Sequence, residues 1–365
     1  MSLILTFLGK GGSGRTTMAI AAAKKFASSG KRVLLAGQDP SPTLGLLLGA
    51  SVSNSPTEIS PNLSAVQLFS TALLEHGWEQ VKELEAKYLR SPTLKNVYGQ
   101  ELGILPGMDS ALALNAIREY DKSGHYDVII YDGSGDINTL RMMGIPEILS
   151  WYIRRFRQVL SDSDLGRAVS PFIQPITSAI LNVSWSLDDL TQQPSDRTNN
   201  LLEEGKAALA NPKRLTAYLV TTADPIAIAT TKYLWGSAQQ VGLTVSGVLL
   251  NRAEATEAVV TEFDPLSVSA IPSRAGDDWQ PLIDALPDFQ MVSQVPQPVT
   301  VDMAARQVRV FLPGFDKKQV KLTQYGPEIT IEAGDQRRNV DLPSPLRGQP
   351  VKGAKFQSGY LVISF

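Results

Sequence analysis

The sequence predicts an α/β protein: a mostly parallel sheet covered by helices on both faces, a helical insertion, and a small C-terminal β-sandwich. Three observations carry this. Over the first 150 residues short apolar runs alternate with amphipathic stretches, the rhythm of strand–helix–strand units. From about Pro146 to Ala210 the strand signal stops while helical periodicity continues, which marks an insertion. Beyond Pro296 apolar residues recur at every second position in short segments broken by Pro, Gly and Asp, the pattern of a small antiparallel sandwich. The predicted domains are residues 1–296, with the insertion at about 146–210, and residues 297–365.

Taken in order, Leu3 to Leu8 reads as a buried strand, and Thr16 to Ser29 as a helix stopped by Gly30. Lys31 to Ala36 and Leu63 to Leu68 are further strands, with a helix from about Thr71 to Leu89. Met108 to Ser123 is helical, and YDVIIY, Tyr126 to Tyr131, is an apolar strand ending at Asp132. Runs such as RVLLA and DVIIY lack alternation, as strands buried on both faces do. In the insertion, WYIRRFRQVL, the apolar stretch at 170–190 and NNLLEEGKAAL read as helices. The α/β rhythm resumes with LTAYLV, a helix near Ile226 to Val241, and SGVLLNR. QVPQPV is a linker by composition. After it Val308, Val310 and Leu312, then Ile329 and Ile331, Val340 and Leu342, and Leu361, Ile363 and Phe365 form the inward face of a second, separate core.

Composition narrows the chemistry. Of 365 residues 43% are hydrophobic and 19% charged, enough apolar content for large cores. Lys+Arg 34 against Asp+Glu 36 leaves a net charge of −2, so no overall field steers the chain to nucleic acid or an acidic membrane. With no cysteine and two histidines, disulfides, thiolate zinc sites and iron–sulfur clusters are excluded, and no zinc is expected. The apolar opening before Lys10 is too short for a membrane span. The expected setting is the cytoplasm, without stable membrane insertion.

The sharpest motif is GKGGSGRTT, Gly9 to Thr17, between a predicted strand and a predicted helix. Backbone N–H groups of such a loop, from Gly9, Lys10, Gly11, Gly12, Ser13 and Gly14, can form an anion nest at a helix N-terminus. Against the phosphate-loop pattern G-x-x-x-x-G-K-[ST], Gly9, Gly14 and Thr16 match, while Arg15 replaces the lysine. Guanidinium pairs well with phosphate but is planar and bulkier than an ammonium. Thr16 can offer its hydroxyl to Mg²⁺ and Thr17 follows it into the helix. Asp132, at a strand end, can hold the same ion through water.

With Lys10 in place, the loop resembles the deviant Walker A loop of the ArsA-type ATPases, the group of the arsenite pump and the tail-anchored-protein targeting ATPases. HYDVIIYDGSGDINTLRMMGIPEIL resembles the family's Walker B and switch II segment, with Asp132 on the Walker B aspartate and Thr139, Leu140 and Arg141 on its T-L-R. GQDPSPTLGLLLG resembles switch I, keeping Asp39 and Pro40 but placing Leu46 where the family has a second, water-activating aspartate. SGVLLNR resembles the strand whose Asn reads adenine, here Asn251 beside Arg252. The resemblance covers about Met1 to Pro296. It implies ATP/ADP with Mg²⁺, and a homodimer in which Lys10 reaches the partner's nucleotide. Lys10, Arg15, Asp39 and Asp136 are the candidate catalytic residues, Asp136 either replacing the missing aspartate or standing as a solvated loop carboxylate.

Two further regions leave alternatives open. Trp151, Ile153, Phe156 and Leu160 share a helical face flanked by Arg154, Arg155 and Arg157; this face packs inside the protein or dimer, forms a client groove, or lies on a membrane surface. The tail, from about Thr300, resembles the α-crystallin domain of small heat-shock proteins through Leu312-Pro313-Gly314, Leu342-Pro343 and Gly359-Tyr360-Leu361. It is a client-binding module or a docked appendage. The reading is an ATP-binding, slowly hydrolysing homodimeric switch for hydrophobic polypeptide clients, without nucleic acid; the alternative is a non-hydrolysing scaffold or chaperone-like pseudo-ATPase.

Overall fold

The computed structural model describes residues 1–88, 96–105, 107–161, 196–289, 295–326 and 328–365. The main sheet comprises β1 (Leu3–Leu8), β2 (Val33–Gly37), β3 (Thr57–Ser60), β4 (Leu63–Gln67), β5 (Val128–Asp132), β6 (Leu215–Thr221), β7 (Val245–Asn251) and β8 (Val268–Ile271). Their order is β3-β4-β2-β5-β1-β6-β7-β8. Every pairing is parallel except the edge pair β3–β4.

Each face of the sheet carries its own core. Leu5, Phe7, Leu35, Ile130 and Val220 meet the alanine-rich face of α1 (Arg15–Ser28) and the later helix packed beside it. Ile4, Leu8, Leu34, Ile129 and Leu219 point the other way. There they meet α4 (Met108–Ser123), α5 (Ile137–Met143), α7 (Asp196–Ala210) and α8 (Pro225–Gln240). Alternate residues of each strand therefore face two dry layers, which is why these strands read as unbroken apolar runs.

Short elements are not visible in the sequence pattern: α2 (Thr43–Leu48), β3, α9 (Glu257–Glu262), β8 and α10 (Gln280–Ala285). None is longer than six residues, too short for a periodicity to declare itself. The longer α3 (Ser70–Tyr88) and α6 (Ile145–Ser161) fall where the periodicity places them. The stretch at 170–190 lies outside the described residues, as do the side chains of Ile153, Arg155, Phe156, Arg157 and Leu160.

The tail folds as two antiparallel sheets. One holds β9 (Val299–Asp302), β10 (Gln307–Phe311), β14 (Gly353–Gln357) and β15 (Tyr360–Ser364) in the order β14-β15-β10-β9. The other is β11 (Val320–Tyr325), β12 (Glu328–Ala333) and β13 (Gln336–Asp341) in sequence. Val308, Val310, Leu312, Ile329, Ile331, Val340, Leu342, Leu361, Ile363 and Phe365 are buried together between them, as the alternation predicts. This core is a cluster of its own, and the two cores touch where the sandwich meets α8. Phe311 belongs to the main core, its ring 5.6 Å from that of Trp235 on α8, while Tyr233 of α8 packs into the sandwich. An amphipathic pattern shows which residues turn inward, not that a second body lies across the helix behind them.

Candidate functional site

The loop after β1 is shaped by backbone crowding. A Cβ on Gly9 would collide with the Val220 carbonyl at the end of β6. Gly14 adopts φ 100, and a Cβ there would strike the Asn251 side chain. Both demands select glycine. Ser13 N–H donates to the Lys10 carbonyl at 3.1 Å, and Met18 N–H to the Gly14 carbonyl at 3.0 Å, carrying the turn directly into α1. No side chain caps the start of α1, so its first N–H groups are left for an anionic partner. Lys10, Gly11 and Gly12 are exposed, Ser13 is buried, and Thr16 and Thr17 are half-buried.

Beneath the loop, Asp132 ends β5 as a buried carboxylate. Burial pushes its pKa up to about 6, against the pull of a hydrogen bond from Thr16 and the nearby Arg15 charge; Asp39 adds to the rise. A hydroxyl and a desolvated carboxylate side by side are hard oxygen donors of the kind Mg²⁺ takes beside phosphates. The donor set fits the ion. The sequence joins these two residues in one hypothesis, and the fold brings them close together.

Asn251 and Arg252 lie at the same rim, with a role the sequence does not disclose. The Asn251 Nδ2 donates to the Ser13 carbonyl at 2.8 Å in a buried setting, and Arg252 Nη2 reaches the Gly12 carbonyl at 3.4 Å. The end of β7 thus braces the phosphate loop from behind. Arg252 is held at φ 58, a backbone that side chains seldom adopt outside special turns.

Arg15 is turned down against the sheet. Its Nη1 donates to the Gly9 carbonyl, while Nε is buried without a hydrogen-bond partner. Burial lowers its pKa, opposed by Asp132 and Asp136. The aliphatic stem lies under Gly135, where a Cβ would come within 2.5 Å of it. The Gly135 carbonyl also accepts from Gly9 N–H at 2.9 Å, and its own N–H donates to the Thr139 hydroxyl at 2.9 Å. Phosphate loop and the loop after β5 are therefore stitched together through Gly9, Arg15 and Gly135.

Asp136 is the N-cap of α5, its Oδ1 accepting from Asn138 N–H at 2.8 Å and from the Ser134 hydroxyl at 2.6 Å. Asp136 is therefore engaged in capping a helix start rather than standing as a free loop carboxylate. Asp39 is exposed, accepts from Ser41 N–H at 2.9 Å, and has its carbonyl held by Gln67 Nε2. Leu46, on α2, is 76% exposed. Sequence reasoning misses the bracing pairs Tyr131–Gln38 and Gln67–Asp39, since no local signal links residues so far apart in the chain.

On the α4 side of the sheet, toward the starts of β1 and β6, lies a cavity of about 580 Å³. Ile4, Leu114, Met142, Leu149, Leu202 and Leu215 are among its mainly apolar lining residues. Met142 and Met143, the two methionines of the TLRMM run, both border it. Among the described residues no helix is long and apolar enough to cross a membrane.

A family model described as anion-transporting ATPase matches residues 2–263, and one described as an HSP20-like domain found in ArsA matches residues 304–365. A putative arsenical pump-driving ATPase of Chlorobaculum tepidum is 24% identical over 99% of this chain and 95% of that protein. The putative arsenical pump-driving ATPase 1 of Aquifex aeolicus is 21% identical, covering 99% of each. The ATPase GET3 of Malassezia globosa is 23% identical over 67% of this chain and 70% of that protein.

Proposed function

Because the chain belongs to the ArsA family of anion-transporting ATPases, we propose that it is an ATP-binding, slowly hydrolysing homodimeric switch that handles hydrophobic polypeptide segments. One observation carries the nucleotide half: an uncapped helix start and a glycine-dictated loop, with the buried Asp132 carboxylate beneath them near Thr16. Loop amides and the α1 N-terminus would hold the phosphates. Thr16 and Asp132 would hold Mg²⁺, which when bound neutralises charge on the phosphate oxygens. Asp132 must give up its proton to do so, which it does above about pH 6. Lys10, exposed on the loop, is free to reach a second subunit.

Support for the client half comes from the apolar cavity. Its wall includes Met142 and Met143 at the end of α5, the helix whose other end carries the Gly135–Asp136 turn. Methionines adapt to irregular apolar partners, and here they sit on a helix that starts beside the phosphate loop.

Slow turnover follows from two residues. Arg15 spends its guanidinium on the Gly9 carbonyl. Leu46, where the resembling proteins carry an aspartate, can neither accept a proton nor orient water. Those same residues favour the second reading, a scaffold that binds nucleotide without hydrolysing it. Calorimetric titration with Mg·ATP, paired with single-turnover hydrolysis, tests both. No heat of binding from folded protein defeats the nucleotide reading, and binding with no hydrolysis selects the scaffold.

A further inference from the structure

The sandwich is attached to the main domain in two unlike ways. Its root is the loop Leu312-Pro313-Gly314-Phe315 on α8. A Cβ on Gly236 would collide with the Pro313 carbonyl and the Phe315 ring, and one on Gly314 with the Lys232 carbonyl. Two backbones meet there with nothing between them. Phe315 stacks edge-on to Tyr233 at 5.6 Å, and Phe311 edge-on to Trp235. Such an apolar, glycine-dictated contact fixes the sandwich in place.

The second attachment is the β12–β13 hairpin. Its turn rests on the same rings as the root, since a Cβ on Gly334 would come within about 3.0 Å of Tyr233 and Phe315 and Asp335 N–H donates to the Tyr233 hydroxyl at 3.3 Å. Beyond the turn its contacts with the helices are polar. Asp335, in the turn, pairs with Arg141 of α5, both largely exposed. Glu328, at the start of β12, accepts from Trp151 Nε1 at 3.0 Å and from Arg154 Nη2 at 2.7 Å, both on α6. Arg338, in β13, donates to the Gln239 carbonyl in the last turn of α8 at 2.7 Å. The Gln336 side-chain amide is left without a hydrogen-bond partner. The exposed Arg141–Asp335 pair re-forms at small cost when one partner shifts, whereas the root and the buried Arg338 guanidinium do not.

The hairpin grips α5 at Arg141. The other end of that helix carries Asp136 and Thr139, and Thr139 secures Gly135, which lies on Arg15 and on the phosphate loop. A shift of α5 is therefore felt at both ends. We infer that the β12–β13 hairpin is a clamp on the nucleotide switch: through Arg141 on α5 and Trp151 and Arg154 on α6, it holds the arrangement in which Arg15 is bound to the Gly9 carbonyl. This rests on the nucleotide site proposed above. Anything that draws Arg15 and the 133–136 loop toward phosphates must strain or release the hairpin, and by linkage loosening the hairpin must favour nucleotide.

The test uses the full-length protein. Hydrogen exchange over residues 328–341 is compared with and without saturating Mg·ATP, and Mg·ATP affinity is measured for Asp335→Arg, Arg141→Asp and the double swap. Exchange in the hairpin should change on nucleotide addition. Asp335→Arg and Arg141→Asp should each tighten Mg·ATP binding by about twofold to fivefold, the range an exposed pair supports, and the swap should return affinity to the wild-type value. Unaltered hairpin exchange in protein that binds ATP overturns the clamp alone. So do single variants with unchanged or weaker affinity. Wild-type protein that binds no ATP overturns the nucleotide reading and the clamp with it.

Discussion

The loop at residues 9–14 and the segment from Gln38 to Leu48 flank the same Asp132, yet they are built to different standards. The first is pinned at both ends, with only its crest from Lys10 to Gly12 exposed: Val220 closes over Gly9, Asn251 donates into it from behind, and Gly135 stitches it to the neighbouring loop. The second has Asp39 exposed, its carbonyl held by Gln67, and carries Leu46 out in solvent. Preorganisation is what lets dipoles stabilise charge without reorganising. By that measure the loop proposed to hold phosphates is preorganised, the finished half, and the segment proposed to face the attacking water is not, the unfinished half.

The largest effect should come from breaking the finished half. Gly14→Val places a β-branched side chain at φ 100 and into Asn251; Mg·ATP binding should be lost beyond detection by calorimetry, while circular dichroism shows a folded protein. Retained binding would mean that this loop is not the phosphate site. Next is repair of the other half. Leu46→Asp with Arg15→Lys should speed single-turnover hydrolysis by about 10²-fold, the lower end of what one placed catalytic group contributes. Asn251→Leu removes the buried bond to Ser13 and should cost about 1–3 kcal/mol of stability by denaturant titration, with a matching loss of ATP affinity. A cost near zero would show that β7 does not brace the loop.

The smallest effect is a pH dependence. Asp132 has a raised folded-state pKa, about 6 against 3.8 for the free group. Its contribution to stability is therefore greatest below the unfolded value and declines as pH rises from about 4 to 6, because the charged form is the one burial penalises. Mg²⁺ needs that charged form, so metal affinity should rise over the same interval. Measuring Mg·ATP affinity at pH 5 and pH 7 for wild type and Asp132→Asn separates this from titration of the nucleotide. If the two proteins change in parallel, the Asp132 carboxylate is not the group that titrates.

Much of the fold and of the phosphate loop is legible in the sequence alone. Gly9, Gly14 and Asp132 announce themselves because a phosphate loop leaves a local signature between a strand and a helix, and the sandwich core follows from alternation at positions such as Ile329 and Ile331. What stays hidden shares one property: it depends on residues far apart in the chain or on how a loop closes. Asn251 bonding Ser13, Asp136 capping α5, and Phe311 crossing into the main core are outcomes that periodicity cannot encode. Arg15 is instructive. Its departure from lysine is plain in the sequence, but its turn onto the Gly9 carbonyl depends on Gly135 lying over it.

The contrast between the two halves reduces to one experiment, single-turnover hydrolysis of ATP by the wild-type protein beside the Leu46→Asp, Arg15→Lys double variant, both at saturating Mg·ATP. Wild type should bind nucleotide and release phosphate far more slowly than the variant. Equal rates in the two proteins would contradict this, since the unfinished half would then lack nothing that these two residues supply.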